Sequence, residues 1–316
     1  MGNQRVHLDF APMEGITGAA FRRLYNAYFG NVDRYYAPFL SPTSDHLLTK
    51  REQRELLPEN NRGICLIPQI LTKVPEDFLW AAEELCGMGY RQVNLNLGCP
   101  SGTVTAKGKG AGMLADPAGL DRFLEKIFVD APCPISVKTR LGMEREEEFP
   151  TLLEIFNRYP IAELIVHPRV RKDFYKHPVR TDAFAWVASD CKCPLTYNGA
   201  ITSAKDYESC TERFPNLYAV MIGQGIIADP FLPGKIRHNT MGNVPTLQRF
   251  HDELLDAYTE QFGNVWNAVQ RMKELWAYLN CSFTDNTDWI KKIRKSTNAA
   301  QYQQLAADAF SFMELL

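Results

Sequence analysis

The chain predicts an α/β fold, a (β/α)8 TIM barrel over residues 1–243 followed by a C-terminal all-helical domain over 244–316. Three observations carry that prediction. Eight short apolar, β-branched runs alternate with helical patterns between Val6 and Ile222, the rhythm of a closed barrel of strand and helix units. Three consecutive runs end in polar pairs at i and i+2: Asn94 with Asn96, Lys138 with Arg140, and His167 with Arg169. Beyond residue 244 the alternation stops and only helical periodicity remains. No early Gly-x-Gly-x-x-Gly turn points instead to an open dinucleotide-binding sheet.

In chain order, strands are expected at Val6 to Ala11, Arg34 to Phe39, Ile64 to Ile70, Gln92 to Leu97, Pro134 to Arg140, Glu163 to His167, Pro194 to Asn198 and Tyr218 to Ile222. Phe78, Ala82 and Leu85 mark the buried face of a helix after the third strand, and Leu120, Phe123, Leu124 and Ile127 that of a helix after the fourth. Barrel strands are buried on both faces and read nearly apolar throughout. Polar pairs facing one way at three successive strand ends therefore describe a polar mouth at the C-terminal rim, where enzymes of this fold carry their chemistry. In the tail, Leu247, Phe250, Leu254, Tyr258 and Phe262 form one apolar stripe, with Pro245 and Thr246 at its start. Trp266, Val269, Met272, Trp276 and Leu279 form a second, and both read as core. Arg271, Lys273, Lys291, Lys292, Arg294 and Lys295 make the one concentrated basic segment, which taken alone reads as solvated surface.

The fourth strand leads into Asn94-Leu95-Asn96-Leu97-Gly98-Cys99-Pro100, followed by Gly108-Lys109-Gly110-Ala111-Gly112. Strand side chains alternate, so Val93, Leu95 and Leu97 face one way while both carboxamides face the approach to Cys99. Gly98 and Pro100 confine the thiol, and the glycines downstream admit a flat ligand or another backbone. Singly, Cys99 reads as a structural thiol, His167 as a core histidine and Lys138 as a lysine with its ammonium at the surface. Their coincidence at neighbouring strand ends reads as a site.

Composition bounds the partners. With 316 residues, 45% of them apolar, the chain can bury a large core, and its net charge of -2 excludes a uniformly basic surface. Any nucleic-acid contact is local. Met1 to Phe10 holds no apolar signal region, no later run has the length of a membrane span, and Met1 to Val6 lacks the Ser or Thr of a myristoylation site. A cytoplasmic protein is expected, with no membrane association and no protein partner implied. The eight cysteines read as thiols, and Cys191 with Cys193 lack the further ligands of a zinc site, so no metal is expected.

Ala11-Pro12-Met13-Glu14-Gly15 with Phe21-Arg22, Asn96 to Pro100, Gly108 to Leu114, Val137 to Gly142, His167-Pro168-Arg169, Asn198-Gly199 and Met221-Ile222-Gly223 stand in one order along the chain. With these motifs the chain resembles the tRNA-dihydrouridine synthases, FMN-dependent enzymes that use NADPH to reduce uridine in tRNA, and the resemblance covers most of the sequence. It implies that Pro12, Met13 and Gln69 contact the isoalloxazine, with Glu14 beside them, and that Lys138 sits at the N1 and C2 carbonyl edge. His167 and Arg169 are implied to help hold the cofactor. Asn198, Gly199, Ala200, Gly223 and Gln224 follow strands seven and eight, where barrels often bind phosphate. Two positions depart from the family pattern: Gln224 stands where Arg is usual, and Pro168 where Gly is common. Gln donates one amide hydrogen bond but brings no charge to a phosphate, so either another cation such as Arg169 compensates or the cofactor binds more weakly.

The resemblance further implies that Cys99 gives a proton to C5 of a uracil while hydride reaches C6 from the other face. Asn96 and Arg140 are implied to hold the ring, and the helical tail to recognise the tRNA. An ordinary thiol, with a pKa of roughly 8.5, is mostly protonated at neutral pH and suits an acid. A base inside folded RNA must leave its stack to reach such a pocket. Two other readings stand beside this one: a flavin barrel oxidoreductase acting on a small molecule such as an enone or dihydropyrimidine, and a catalytically silent RNA-binding protein.

Overall fold

All eight expected strands form, each within a residue or two of its expected bounds except at the second and third. β1 (His7–Phe10), β2 (Arg34–Tyr36), β3 (Leu66–Ile67), β4 (Gln69–Ile70), β5 (Val93–Leu97), β6 (Ile135–Arg140), β7 (Glu163–His167), β8 (Leu195–Tyr197) and β9 (Ala219–Ile222) pair in parallel, in the order β3-β2-β1-β9-β8-β7-β6-β5-β4. β3 and β4 are halves of the third expected strand, parted at Pro68, which has no N–H to give a ladder. The Pro68 carbonyl still accepts from Asn94 N at 2.8 Å, and Leu40 N donates to Gln69 O at 2.8 Å. The sheet is thereby sealed on both sides of the proline and closes into a barrel. The computed structural model describes residues 5–279, 283–284, 287–312 and 314–315.

Two cores follow from the alternation of side chains. Outward, Val93, Leu95 and Leu97 are fully buried against a helical layer that includes Phe78, Ala82, Leu85, Leu120 and Leu124. Inward, Ala11, Tyr36, Ile67, Ile165 and Met221 form a separate small cluster in the lumen. Also pointing inward is a buried polar network in which Arg34 binds both Asp9 and Glu163, while Tyr36 and Thr196 hydroxyls donate to Glu163. Two carboxyl groups share one guanidinium. Burial and the neighbouring Glu163 push the Asp9 carboxyl up to about 8.

The tail forms helices Val244–Phe262, Val265–Leu279, Thr287–Lys295 and Ala299–Phe312. Asn243 caps the first, its side chain accepting from Thr246 N at 2.9 Å. Leu247, Phe250, Leu254 and Tyr258 are buried, as are Val269, Met272, Trp276 and Leu279, whereas Phe262 and Trp266 are half-buried. The Phe250 ring meets Phe21 edge-on at 5.6 Å, and the Tyr258 hydroxyl donates to Ile16 O at 3.3 Å, so the tail shares the barrel's outer core. The six basic residues do not form one patch. Arg271 pairs with Glu274 and Lys273 donates to Ser296 O at 2.7 Å, leaving Lys291, Lys292, Arg294 and Lys295 exposed on Thr287–Lys295. Among the described residues no helix is long and apolar enough to cross a membrane.

Candidate active site

Parallel register brings the polar strand ends side by side: Gln69 lies opposite Asn94, Asn96 opposite Lys138, and Arg140 opposite His167. From this row a carboxamide relay grows. Asn96 Nδ2 donates to Gln69 Oε1 at 2.7 Å, Gln69 Nε2 to Asn94 Oδ1 at 2.7 Å, and Asn94 Nδ2 to Ser136 Oγ at 2.9 Å. The Asn96 oxygen accepts from both Gly98 N, at 3.0 Å, and Cys99 N, at 2.9 Å. Asn96 is therefore first a brace for the Cys99 turn, with one N–H left over for a ligand in the cavity it lines. Behind the turn, Gly110 adopts φ +57°, and a Cβ there would stand 3.0 Å from the Cys99 Cβ. Only glycine lets the loop fold so closely behind the thiol. Burial pushes the thiol pKa up, which keeps it protonated.

Cys99 lines a cavity of about 280 Å³ together with Pro12, Met13, Gln69, Asn96, Lys138, Arg140 and His167. Lys138 has Arg140 and the Cys99 thiol as charge neighbours and no carboxylate among them. Burial and the guanidinium bring its pKa down to about 7. Arg140 donates through Nε to Gly98 O at 2.9 Å and through Nη1 to Val170 O and Phe174 O, at 3.1 and 2.9 Å. Its Nη2 is buried without a hydrogen-bond partner. The Lys138 amine and the Arg140 guanidinium, which also lies 5.2 Å from the Tyr175 ring centre, give this cavity a positive wall suited to an electron-rich planar ligand.

A second cavity, of about 120 Å³, continues from the first and shares Pro12, Met13, Lys138, His167 and Gln224 with it. The loops after β8 and β9 wall it: Asn198, Gly199, Ala200, Gly223 and Gln224. Asn198 turns its amide to Met221 O at 2.8 Å and ties these two strand ends together. At Gly223 a Cβ would come within 3.2 Å of Ala11 and 3.5 Å of the Met13 sulfur, so glycine keeps this wall open. Arg169 also lines the cavity, held by Nε to His177 O at 2.6 Å and by Nη1 to His167 Nε2 at 2.8 Å. Burial and three nearby cations keep His167 neutral, so its Nε2 accepts that bond and Nδ1 carries the proton. A flat group in the first cavity with an anionic tail in the second fits this donor set.

Of the expected site residues, Glu14 stands apart: it lines the outer cavity but pairs its carboxylate with Arg51. Sequence reasoning missed Tyr175 and Tyr278, which also line the first cavity. Tyr175 follows the His167-Pro168-Arg169 motif within a charged stretch and could have been noticed as an aromatic out of place. Tyr278 comes from the tail helix Val265–Leu279 and left no local signal. Cys191 and Cys193 pack against the hydrophobic core, the first sulfur 3.5 Å from the second residue's carbonyl oxygen. Among the described residues no group of three or more His, Cys, Asp or Glu is placed to hold a metal.

Fold and cavities together define a barrel of the oxidoreductase class with its candidate site at the C-terminal rim. The chain belongs to the dihydrouridine synthase family, whose model matches residues 9–314. It is 28% identical over 308 residues to the tRNA-dihydrouridine(16) synthase of Yersinia pestis, covering 93% of this chain and 96% of that protein. To the tRNA-dihydrouridine(16) synthase of Ralstonia nicotianae it is 29% identical over 237 residues, 73% of this chain and 72% of the relative. A probable tRNA-dihydrouridine synthase 1 of Synechocystis sp. is 29% identical over 231 residues, 72% of this chain and 63% of that one. In fold, the chain is similar to morphinone reductase in complex with tetrahydroNAD (TM-score 0.51, 12% identity, 75% and 88% of the two chains). It is also similar to the old yellow enzyme from Trypanosoma cruzi (TM-score 0.53, 10% identity, 75% and 89%).

Proposed function

We propose that this chain reduces the C5–C6 double bond of specific uridines in tRNA, with FMN as cofactor and NADPH as reductant. The observation that carries the reading is the convergence of a protonated thiol, Cys99, with the spare N–H of Asn96 and the unpartnered Nη2 of Arg140 on one cavity beside Lys138. Pro12, Met13 and Gln69 would hold the flavin ring, Lys138 its electron-rich edge, and the Asn198–Ala200 and Gly223–Gln224 segments with Arg169 its phosphate. When bound, FMN would supply the hydride, with NADPH as its source of electrons. Cys99 delivers a proton to C5 of the uracil, and Arg140 and Asn96 hold the ring's polar edge while charge builds on it. The four exposed cations on Thr287–Lys295 suit contact with RNA phosphates, and a cytoplasmic site of action is part of the proposal.

The test reduces the flavin of the purified protein anaerobically and offers it unmodified tRNA or free pyrimidines. Reoxidation by tRNA with dihydrouridine formed, mapped by mass spectrometry, supports the reading. Reoxidation by the free pyrimidine alone selects a small-molecule reductase, and a protein that binds tRNA without holding flavin selects the silent RNA-binding reading.

A further inference from the structure

Four described non-glycine residues have positive φ, and three of them, Asn31, His46 and Asn239, are of types that tolerate it. The fourth is Phe174, at φ 49° and ψ −105°. A bulky aromatic in that region is strained, and such strain persists where the surroundings over-determine the backbone. Here they do. Arg140 Nη1 clasps Phe174 O at 2.9 Å and Val170 O at 3.1 Å, Phe174 N donates to Arg171 O at 3.2 Å, and Lys176 N donates to Asp173 O at 3.0 Å. Buried Asp173 accepts from Val170 N at 3.1 Å and pairs with Arg180, and Arg169 Nε fixes His177 O at 2.6 Å. The strap 171–177 is thus pinned at both ends and in its middle, yet its aromatic ring is not used as core: Phe174 is 38% exposed.

The ring's place says what it faces. Phe174 immediately precedes Tyr175, which lines the cavity that holds Cys99. Its own ring stays outside that cavity, beneath the Arg171 guanidinium at 5.4 Å. Arg171 in turn donates to Thr105 Oγ1 at 3.2 Å, linking the strap to the segment that follows Cys99, while its Nε is buried with no hydrogen-bond partner. Lys172 and Lys176, on the strap itself, are exposed, Lys172 with its ammonium 3.5 Å from Glu144. A partly exposed aromatic ring with cations near it, beside the cavity that holds Cys99, matches single-stranded nucleic acid, whose bases stack on aromatic side chains while cations track the backbone.

Resting on the proposed function, we infer that Phe174 and Arg171 form a second nucleotide subsite, a stacking platform for the base adjacent to the target uridine in the same RNA strand. Flipping a uridine deprives its neighbour of a stacking partner, and the Phe174 ring replaces it at the cavity lip. The strained backbone holds the ring there.

The experiment measures dihydrouridine formation on unmodified tRNA by the flavin-loaded full chain and by Phe174→Gly, Phe174→Ala and Phe174→Tyr. Flavin content and Tm of the same preparations report folding. Both truncations are expected to raise KM for tRNA about 10-fold or more, the effect of one lost stack, with kcat falling by a smaller factor. Phe174→Tyr keeps the ring and should keep KM within about 3-fold. Phe174→Gly should melt above Phe174→Ala, because only glycine relieves the backbone. A wild-type KM in both truncations overturns the subsite while leaving the function intact, and so does a Phe174→Tyr variant as impaired as Phe174→Ala. No dihydrouridine from the wild-type chain on any tRNA overturns the functional reading and the subsite with it.

Discussion

Cys99 owes its position to a residue three places earlier, since the Asn96 oxygen holds both amides of the turn that presents the thiol. Replacing Cys99 with Ala should leave flavin content unchanged and lower dihydrouridine formation about 100-fold or more, the scale of a lost general acid. Equal rates in mutant and parent would remove it from that role. Lys138 is half-buried with no carboxylate among its charge neighbours, and its pKa of about 7 leaves it only partly charged, so Lys138→Met removes a poorly solvated amine and should leave Tm unchanged or higher. Flavin reduction by NADPH should slow by about 100-fold, as when one preorganised electrostatic contact is lost, and stopped-flow absorbance reads that step directly. Arg169→Gln tests the phosphate end: FMN affinity should fall about 10-fold or more, while riboflavin, which lacks the phosphate, binds as before. The placement of Cys99, Lys138 and Arg169 along the cavities was legible because each sits at or just after a strand end. Asn96 was legible as a site residue, but its bracing duty was not, because that depends on a turn closing back onto its own carboxamide.

At the scale of elements, period-two apolar runs and amphipathic stripes were enough to find every strand and both tail stripes, because burial imposes those periods directly. Pro68 inside the third run already carried the reason for its division into β3 and β4. The basic segment shows the opposite case. Spacing placed Arg271 and Lys273 with the other four cations, but Arg271 turns to Glu274 one helical turn on, a pair readable from the sequence, and Lys273 to Ser296 O, a partner 23 residues away that packing alone brings close. The quartet Lys291, Lys292, Arg294 and Lys295 remains the testable element. Changing all four to Glu should weaken tRNA binding and flatten its dependence on salt, measured as the slope of log affinity against log salt concentration. An unaltered affinity would return this helix to the status of ordinary surface.

Across the whole molecule, stability should depend on pH through the lumen network. The folded chain keeps a proton on Asp9 up to about pH 8, whereas the unfolded chain releases it near 3.8. The stability this gives is complete below 3.8 and is lost as pH rises toward 8, because the folded state binds the extra proton across that window. Asp9→Asn fixes the neutral form, so the difference in Tm between wild type and variant should shift in the variant's favour from pH 4 to pH 8, by calorimetry. A constant difference would show that the proton is absent. This network was not legible beforehand: Asp9, Arg34 and Glu163 meet only because the barrel closes, and nothing local pairs them.

Tyr278 gives the architecture a further consequence. A helix outside the barrel supplies one wall of the cavity that holds Cys99, so on the proposed function grip and turnover would be mechanically joined. On the proposed function, an RNA seated askew on the tail would push that phenol out of true and distort the slot its own base must enter. Selectivity among RNAs would then surface as slow catalysis on the wrong cargo, and a grafted tail from a relative would alter rate as well as choice.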